Sequence, residues 1–501
     1  MAVKQYTKEW TKQNMYKSIL YFFLHFMLLV MIGSILLFGD KIGEIGAHMK
    51  QFGAAYLYVL ICALMLVIII YLYYYFEDKT MIASGKNISL LFLLLDVSFV
   101  ASWLIGEYLN IYARPMALMA LLAFVLIDRR SAIFMNIISA LLIFVVDTFA
   151  GGMTADHVYY SSLIITFAAG MFAIFCCNRA RTRLHIVAVG AAIVVPIDIT
   201  ILILEVSTFV EGVITPMEAF RNILLHMGFG LFGGVMSTIL FLAILPIFEV
   251  AFNCLTTYRL RELTSQDAKI LRELKQNAPG TYNHCMVVAQ LAEASAAAIG
   301  EDIDCARAAA MYHDVGKLHH PDHFTENQGE YNLHDELSPE LSADIIRLHA
   351  QDGYRLIKSN HLPEFLADVA LQHHGTMPIR YFYAKALKMT DGELNIEDFS
   401  YMGPKPQTKL AAIIMIADAS EAAVRAINAR NPEQVEKCIR SIIEERMDLE
   451  QFSECDITMV EITKIKEALI NTLTGVYHHR VTYPNIKYKK STNGSVDGGE
   501  V

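Results

Sequence analysis

The sequence predicts an all-α protein in two parts: a multi-span helical membrane domain, then a helical domain built for water. Two observations carry this reading. Of 501 residues, 54% are hydrophobic and 18% charged, with the apolar excess before about residue 253 and most of the charge after it. Beyond residue 281, apolar residues recur at helical spacing and strand signals are scarce. The formal net charge of −10 gives no basis for a nucleic-acid polymer as partner. Eight scattered cysteines without paired spacing read as reduced, mostly buried thiols.

In chain order, Lys4, Lys8, Lys12 and Lys17 precede an apolar run at 18–38 that is long enough to span a bilayer. No small-residue cleavage site follows it, so it reads as an uncleaved anchor. Further spans are expected at 54–76, 88–106, 115–127, 131–149, 161–177, 184–205 and 223–252, about eight in all, within a membrane domain at 1–253. Basic residues mark alternate loops: Lys79 and Lys86, Arg129 and Arg130, Arg179 with Arg181 and Arg183, Arg259 and Arg261. The positive-inside rule then puts the N-terminus and the second domain in the cytoplasm.

Asp96, Asp147, Asp198 and His226 lie in or near the apolar runs, where an ionisable group is expensive and marks either a site or a satisfied helix contact. Gly230 and Gly234 have the spacing that lets helices approach closely. A linker helix is expected over 254–280, with an apolar stripe of Leu260, Leu263, Ile270, Leu271 and Leu274. It serves as a spacer or as a coupler of membrane movement, including that of a homodimer contact. Helices follow at 284–299, 304–312, 338–359, 363–374, 408–428, 432–447 and 458–477, with loops at 320–334 and 375–406. The soluble domain is placed at 281–485 and a disordered tail at 486–501.

Residues 311–317, MYHDVGK, set His313 beside Asp314, about 100° apart if the helix continues. His284 precedes the pair, and His349, the doublet His373-His374 and Asp418 follow it. Any one of these histidines would be unremarkable alone. Five histidines and two aspartates in helical segments make a nitrogen and carboxylate set suited to divalent transition metals such as Fe or Mn. Seven ligands exceed one tetrahedral ion, so two metals fit better. Two metals about 3.5–4 Å apart can share a hydroxide and brace phosphoryl oxygens, which is the chemistry of phosphoester hydrolysis. His319, His320, His323, His334, His361, His478 and His479 have no partner legible in the sequence and are left out.

At these residues the chain resembles the HD phosphohydrolase superfamily, and more closely the seven-transmembrane-receptor HD family of bacterial membrane proteins, which includes PgpH-type cyclic di-AMP phosphodiesterases. The likeness is carried by APGTYNH at 278–284, YHDVGK at 312–317, ENQ at 326–328, HDELSPELSADII at 334–346, QHHGT at 372–376, GPKPQTK at 403–409 and IADASEAA at 416–423. The resemblance implies one metal on His284, His313, Asp314 and Asp418 and a second on His349, His373 and His374, with Asp314 bridging. It implies hydrolysis of cyclic di-AMP to the linear pApA. Lys317, by charge and proximity, is expected to meet a substrate phosphate, so Asp314 and Lys317 are the expected catalytic residues.

The doublet is followed by Gly375-Thr376 instead of the Glu and Gly-Tyr-Pro pattern of enzymes that cleave cyclic di-GMP. Two departures stand out. Asn283 replaces the first histidine that many members carry, and only about residues 39–52 occupy the place of their large extracytoplasmic domain. The alternatives are another nucleotide substrate, a nucleotide-binding receptor without turnover, or a transporter. All seven expected ligands are present, which argues for catalysis.

Overall fold

The computed structural model describes residues 12–38, 45–150, 158–177, 183–212, 215–329, 331–390, 392–427 and 431–476. The expected tail at 486–501, the loop residues Arg179 and Arg181, and His478 and His479 lie outside them. The described residues form helices and no strand; Pro378 and Ser400 make one isolated bridge. The chain divides into two compact units, Met1–Ala268 and Lys269–Val501.

The first unit contains α1 (Lys12–Phe38), α2 (Ile45–Glu77), α3 (Lys79–Ala83), α4 (Gly85–Tyr108), α5 (Leu118–Leu126), α6 (Arg129–Ala150), α7 (Val158–Cys177), α8 (Arg183–Val210), α9 (Pro216–Ala251) and α10 (Thr257–Leu263). Of these, α1, α2, α4, α6, α8 and α9 are long and apolar enough to cross a bilayer, and α7 offers a shorter apolar stretch. This is a multi-pass membrane protein. Phe23, Met27, Leu57, Met65, Ile199 and Ile203 point outward and are exposed, as a lipid-facing surface requires.

The span expected at 115–127 takes another form. Helix α5 has nine residues, all of them buried. At 1.5 Å per residue it reaches about 14 Å, roughly half the hydrocarbon core. Pro115 keeps Arg114 extended, with φ −60° and ψ 143°, so no helix runs through the two. Irregular backbone at that depth must be enclosed by protein. Helix α9 provides the enclosure at Gly233, where a Cβ would press on the carbonyl oxygens of Arg114 and Tyr112.

The buried Arg114 is matched by Asp147, with Nη1 to Oδ2 at 2.5 Å and Nη2 to Oδ1 at 2.9 Å, and Ser162 donates to the same carboxylate at 3.0 Å. His226 pairs with Glu205 at 2.6 Å. Two of the four polar residues singled out in the sequence are thus satisfied by helix contacts. Asp96 differs: both its oxygens are buried with no hydrogen-bond partner. Gly190, Gly230 and Gly234 let α8 and α9 pack closely, since a Cβ at any of them would meet the facing helix.

The second unit contains α11 (Lys269–Asn277), α12 (Pro279–Ile299), α13 (Ile303–Tyr312), α14 (Pro339–Ser359), α15 (Glu364–Gln372), α16 (Arg380–Leu387), α17 (Lys409–Ala426), α18 (Pro432–Asp448) and α19 (Met459–Val476). Asp302, Ser338 and Thr408 cap α13, α14 and α17 through the backbone N–H groups of Cys305, Leu341 and Ala411. Helix α12 packs on α13, α17 and α19, and α14 packs on α15. Fully buried Ala308, Ala309, Ala411 and Ala412 keep these helices close.

Two expectations change here. The linker is two helices and not one, because Thr264 bonds back to the Leu260 carbonyl at 3.1 Å and Ser265 accepts from the Asp267 N–H at 3.1 Å, closing a turn between α10 and α11. The region expected as a loop at 375–406 contains α16, whose Phe382 and Ala386 bury against Ala343 and Phe399.

Replacing Asp147 by Ala would leave Arg114 as an unpaired buried charge, an expected loss of about 3–5 kcal/mol. A double replacement, Arg114→Met with Asp147→Leu, should recover much of it, and thermal unfolding in detergent checks both; equal losses in the single and double variants would refute the pairing. In the second unit, a Cβ on Gly316 would collide with the His349 carbonyl oxygen and the Gly353 nitrogen, both backbone. Gly316→Ala should therefore cost about 1–3 kcal/mol, whereas Gly475→Ala, with open space around it, should cost nothing in the same denaturation experiment.

Candidate metal centre

The seven expected residues converge. His284 lies on α12, His313 caps the C-terminus of α13 with Asp314 next to it, and His349 lies on α14. His373 caps α15 with His374 after it, and Asp418 lies on α17. The two doublets do not lie on helix faces, as expected, but at helix ends. There the last-turn carbonyls lack helical partners and become acceptors. His313 Nδ1 bonds to the Ala310 carbonyl at 2.7 Å and His373 Nδ1 to that of Ala370 at 2.8 Å; His349, within α14, does the same to Ile346 at 2.6 Å. Each ring then turns Nε2 toward the centre, the second-nitrogen arrangement common to metal-binding histidines.

Asp314 is the common member. Its Oδ2 lies 3.3 Å from His313 Nε2 and 3.7 Å from His284 Nε2, and its Oδ1 lies 3.3 Å from His349 Nε2 and 3.6 Å from His373 Nε2. Asp418 Oδ1 is 2.9 Å from His284 Nε2, and its Oδ2 is 3.8 Å from His374 Nδ1. Two four-residue groups result, His284, His313, Asp314, Asp418 and Asp314, His349, His373, His374, each able to hold a metal ion. His313 Nε2 and Asp314 Oδ1 are buried without a hydrogen-bond partner, as ligand atoms awaiting a cation would be. The donor set suits divalent metals.

Charge follows the same division. Burial works against an imidazolium at His284, but Asp418 and Glu421 outweigh it and lift its pKa to about 9. At His313 burial is likewise overcome, chiefly by Asp314, and the pKa stands well above its ordinary value. Burial also opposes the ionised carboxylates, yet Lys317 and His313 hold Asp314, and His284 and His313 hold Asp418, well below the usual range. His373 and His374 go the other way: burial, then neighbouring histidines, lower them, and neutral imidazole is the ligating form.

Lys317 does not reach into open space. Its Nζ sits 2.7 Å from Asp314 Oδ2 and 2.7 Å from Glu326 Oε1, above the Phe324 ring. Glu326 also accepts from Thr281 Oγ1 at 3.0 Å, and Asn327 bonds to the Thr281 N–H at 3.1 Å, so the ENQ loop fixes the start of α12. After the second doublet, Gly375 turns the chain at φ +53°, and Gln451 accepts from the Thr376 N–H at 3.0 Å.

Three residues near the centre were not singled out from the sequence. Glu421 lies 2.5 Å from His284 Nδ1; three residues after Asp418 on the same helix, it had a detectable spacing signal. Glu326, within the ENQ motif, and Tyr401, whose ring stacks on His374 at 4.2 Å, come from loops and had no spacing signal. Of the excluded histidines, His334 bonds to the His323 carbonyl at 2.8 Å, away from the centre.

The comparisons agree with this geometry. Residues 281–423 match the family model described as HD domain, and residues 51–256 match that described as 7TM receptor with intracellular HD hydrolase. The cyclic-di-AMP phosphodiesterase PgpH of Bacillus subtilis is 38% identical over 76% of this chain and 53% of its own length. Its namesake in Listeria monocytogenes is 46% identical over 53% of this chain and 37% of its own. The chain thus spans about half the length of the curated relatives it matches, or less. Crystal structures of the L. monocytogenes phosphodiesterase PgpH HD domain, alone and in complex with cyclic di-AMP, are 46% and 48% identical. They cover 42% and 43% of this chain and 100% and 99% of their own, each with a TM-score of 0.41. The membrane half thus matches the model described as 7TM receptor with intracellular HD hydrolase, and the histidine and aspartate helices match the HD domain.

Proposed function

We propose that this protein is a membrane-anchored phosphodiesterase that hydrolyses cyclic di-AMP to pApA with two divalent transition metals, Fe or Mn. One observation carries the reading: Asp314 is buried with one carboxylate oxygen toward each of two ligand groups. The namesake activity of the two PgpH relatives supplies the substrate class. In this reading His284, His313 and Asp418 would hold one ion and His349, His373 and His374 the other, with Asp314 common to both groups. Bound there, the metals supply Lewis acidity toward water and phosphoryl oxygens.

The chain's own residues do the remaining work. The carbonyl-anchored rings fix the ligand directions before any ion arrives. Lys317, steadied by Glu326, keeps a positive charge beside Asp314 where phosphate charge grows during attack. Asp418 and His374 are the more exposed members, with side chains 12% and 23% accessible, so in this reading a substrate would meet them first.

Orientation belongs to the same proposal. Basic residues between alternate spans favour a cytoplasmic N-terminus and catalytic unit in the bacterial inner membrane. In this arrangement residues 111–126 count as one crossing, and the domain limits are 1–253, 254–280 and 281–485. A homodimer in the bilayer is the assembly proposed for it.

The test is turnover by the full chain in detergent, loaded anaerobically with Mn(II) or Fe(II). Cyclic di-AMP should yield pApA well ahead of cyclic di-GMP. Asp314→Ala should lower the rate about 10³-fold or more, since several kcal/mol of Lewis-acid stabilisation is at stake at 1.36 kcal/mol per tenfold. Near-normal turnover by metal-replete Asp314→Ala would refute the mechanism.

Metal uptake should also release protons. The metal-free His284 keeps its proton up to a pH of about 9, and the ion must displace it. Affinity should therefore strengthen as pH rises toward that value and weaken below it. Titration of weakly buffered protein reads both, and a pH-independent affinity would contradict the assignment of His284.

A further inference from the structure

We propose that Glu421 is a positioning residue that makes the two metal positions unequal, the one built on His284 binding its ion more tightly. This rests on the two-metal reading above. Three of the histidines, His313, His349 and His373, lean on backbone carbonyls through Nδ1. His284 alone of these four leans on a carboxylate, with Nδ1 and Glu421 Oε2 2.5 Å apart.

A carboxylate behind an imidazole fixes the tautomer and makes the opposite nitrogen a stronger donor than a neutral carbonyl does. Glu421 is 2% exposed, so its charge is weakly screened by water. Arg425, one turn along α17, sits 3.2 Å from the other oxygen, Oε1, and restrains the carboxylate's rotation. The ligands add to the bias. The His284 group contains two carboxylates, Asp314 and Asp418, and the other group contains Asp314 alone. Glu421 thus adds a buried negative charge to the half that is already the more anionic.

The test is a Mn(II) titration of the metal-stripped full chain in detergent, followed by the electron paramagnetic resonance signal of free Mn(II). The wild-type chain should bind two ions with distinct affinities. His373→Ala, which impairs the other half, should retain the tighter step and so identify it. In Glu421→Ala the tighter affinity should fall about 10–100-fold with the weaker one unchanged. Glu421→Gln, which keeps the shape and an acceptor oxygen, should fall less.

Unchanged affinities in both Glu421 variants would overturn the proposal, as would an equal fall at both positions, the result of a merely structural defect. If Glu421→Ala fails to fold, Glu421→Gln carries the test, and wild-type affinities in it count against the proposal. A wild-type chain that saturates with one ion would overturn the two-metal reading instead. The Glu421 variants would then still decide, by whether that single affinity moves.

Discussion

A single buried carboxylate sets the terms for the soluble unit. Asp314 is 1% exposed, and an isolated anion at such a site would be strongly destabilising. Everything near it answers that charge: His313 and Lys317 from its own stretch of chain, His284 from α12, His349 from α14 and His373 from α15. Four helices must therefore arrive together before the carboxylate can be buried at acceptable cost. The glycines follow from the same demand. Gly316 has no side chain because the backbone of α14 at His349 and Gly353 lies against it, and Gly280 has none because the Glu326 carbonyl does. Neither glycine touches an ion, yet each brings a ligand-bearing helix to its place.

Much of this was legible in the chain. Helical spacing located the helices of the second unit, and the His-Asp and His-His doublets with their motifs named the seven converging side chains. The helix expected at 304–312 stops where α13 does, at Tyr312, but the one expected at 363–374 runs through the second doublet, whereas α15 stops at Gln372. What spacing could not supply was the use made of these ends. The stops matter, since the free carbonyls they leave are the ones that orient the rings. The roles of Glu326, although it stands in the ENQ motif, and of Tyr401 were illegible because they reach the centre from loops, where no periodicity predicts direction.

The membrane unit divides similarly. Hydropathy finds long apolar helices because a bilayer demands them, but it treats 115–127 as one more span. The structure makes a short enclosed helix there, preceded by irregular backbone and a buried arginine. Nothing in an apolar run reveals that Arg114 is matched by Asp147 33 residues later, or that Gly233 admits the backbone of Tyr112 to Arg114. Such pairings become visible only when the helices are assembled. Asp96 and Asp198 stand apart, since helix contacts explain Asp147 and His226 but leave both oxygens of Asp96 and Oδ1 of Asp198 without a hydrogen bond.

The linker is continuous in sequence but not in helical hydrogen bonding. A single helix would keep its phase through the i to i−4 ladder. The chain breaks that ladder at 264–268, where Thr264 and Ser265 spend their hydroxyls on local backbone bonds. Helix α11 beyond the break buries Ile270, Leu271 and Leu274 and packs on α12, the helix that carries His284. Helix α11 therefore belongs with the second unit, and through α12 it bears on His284, the ligand that Glu421 holds from behind.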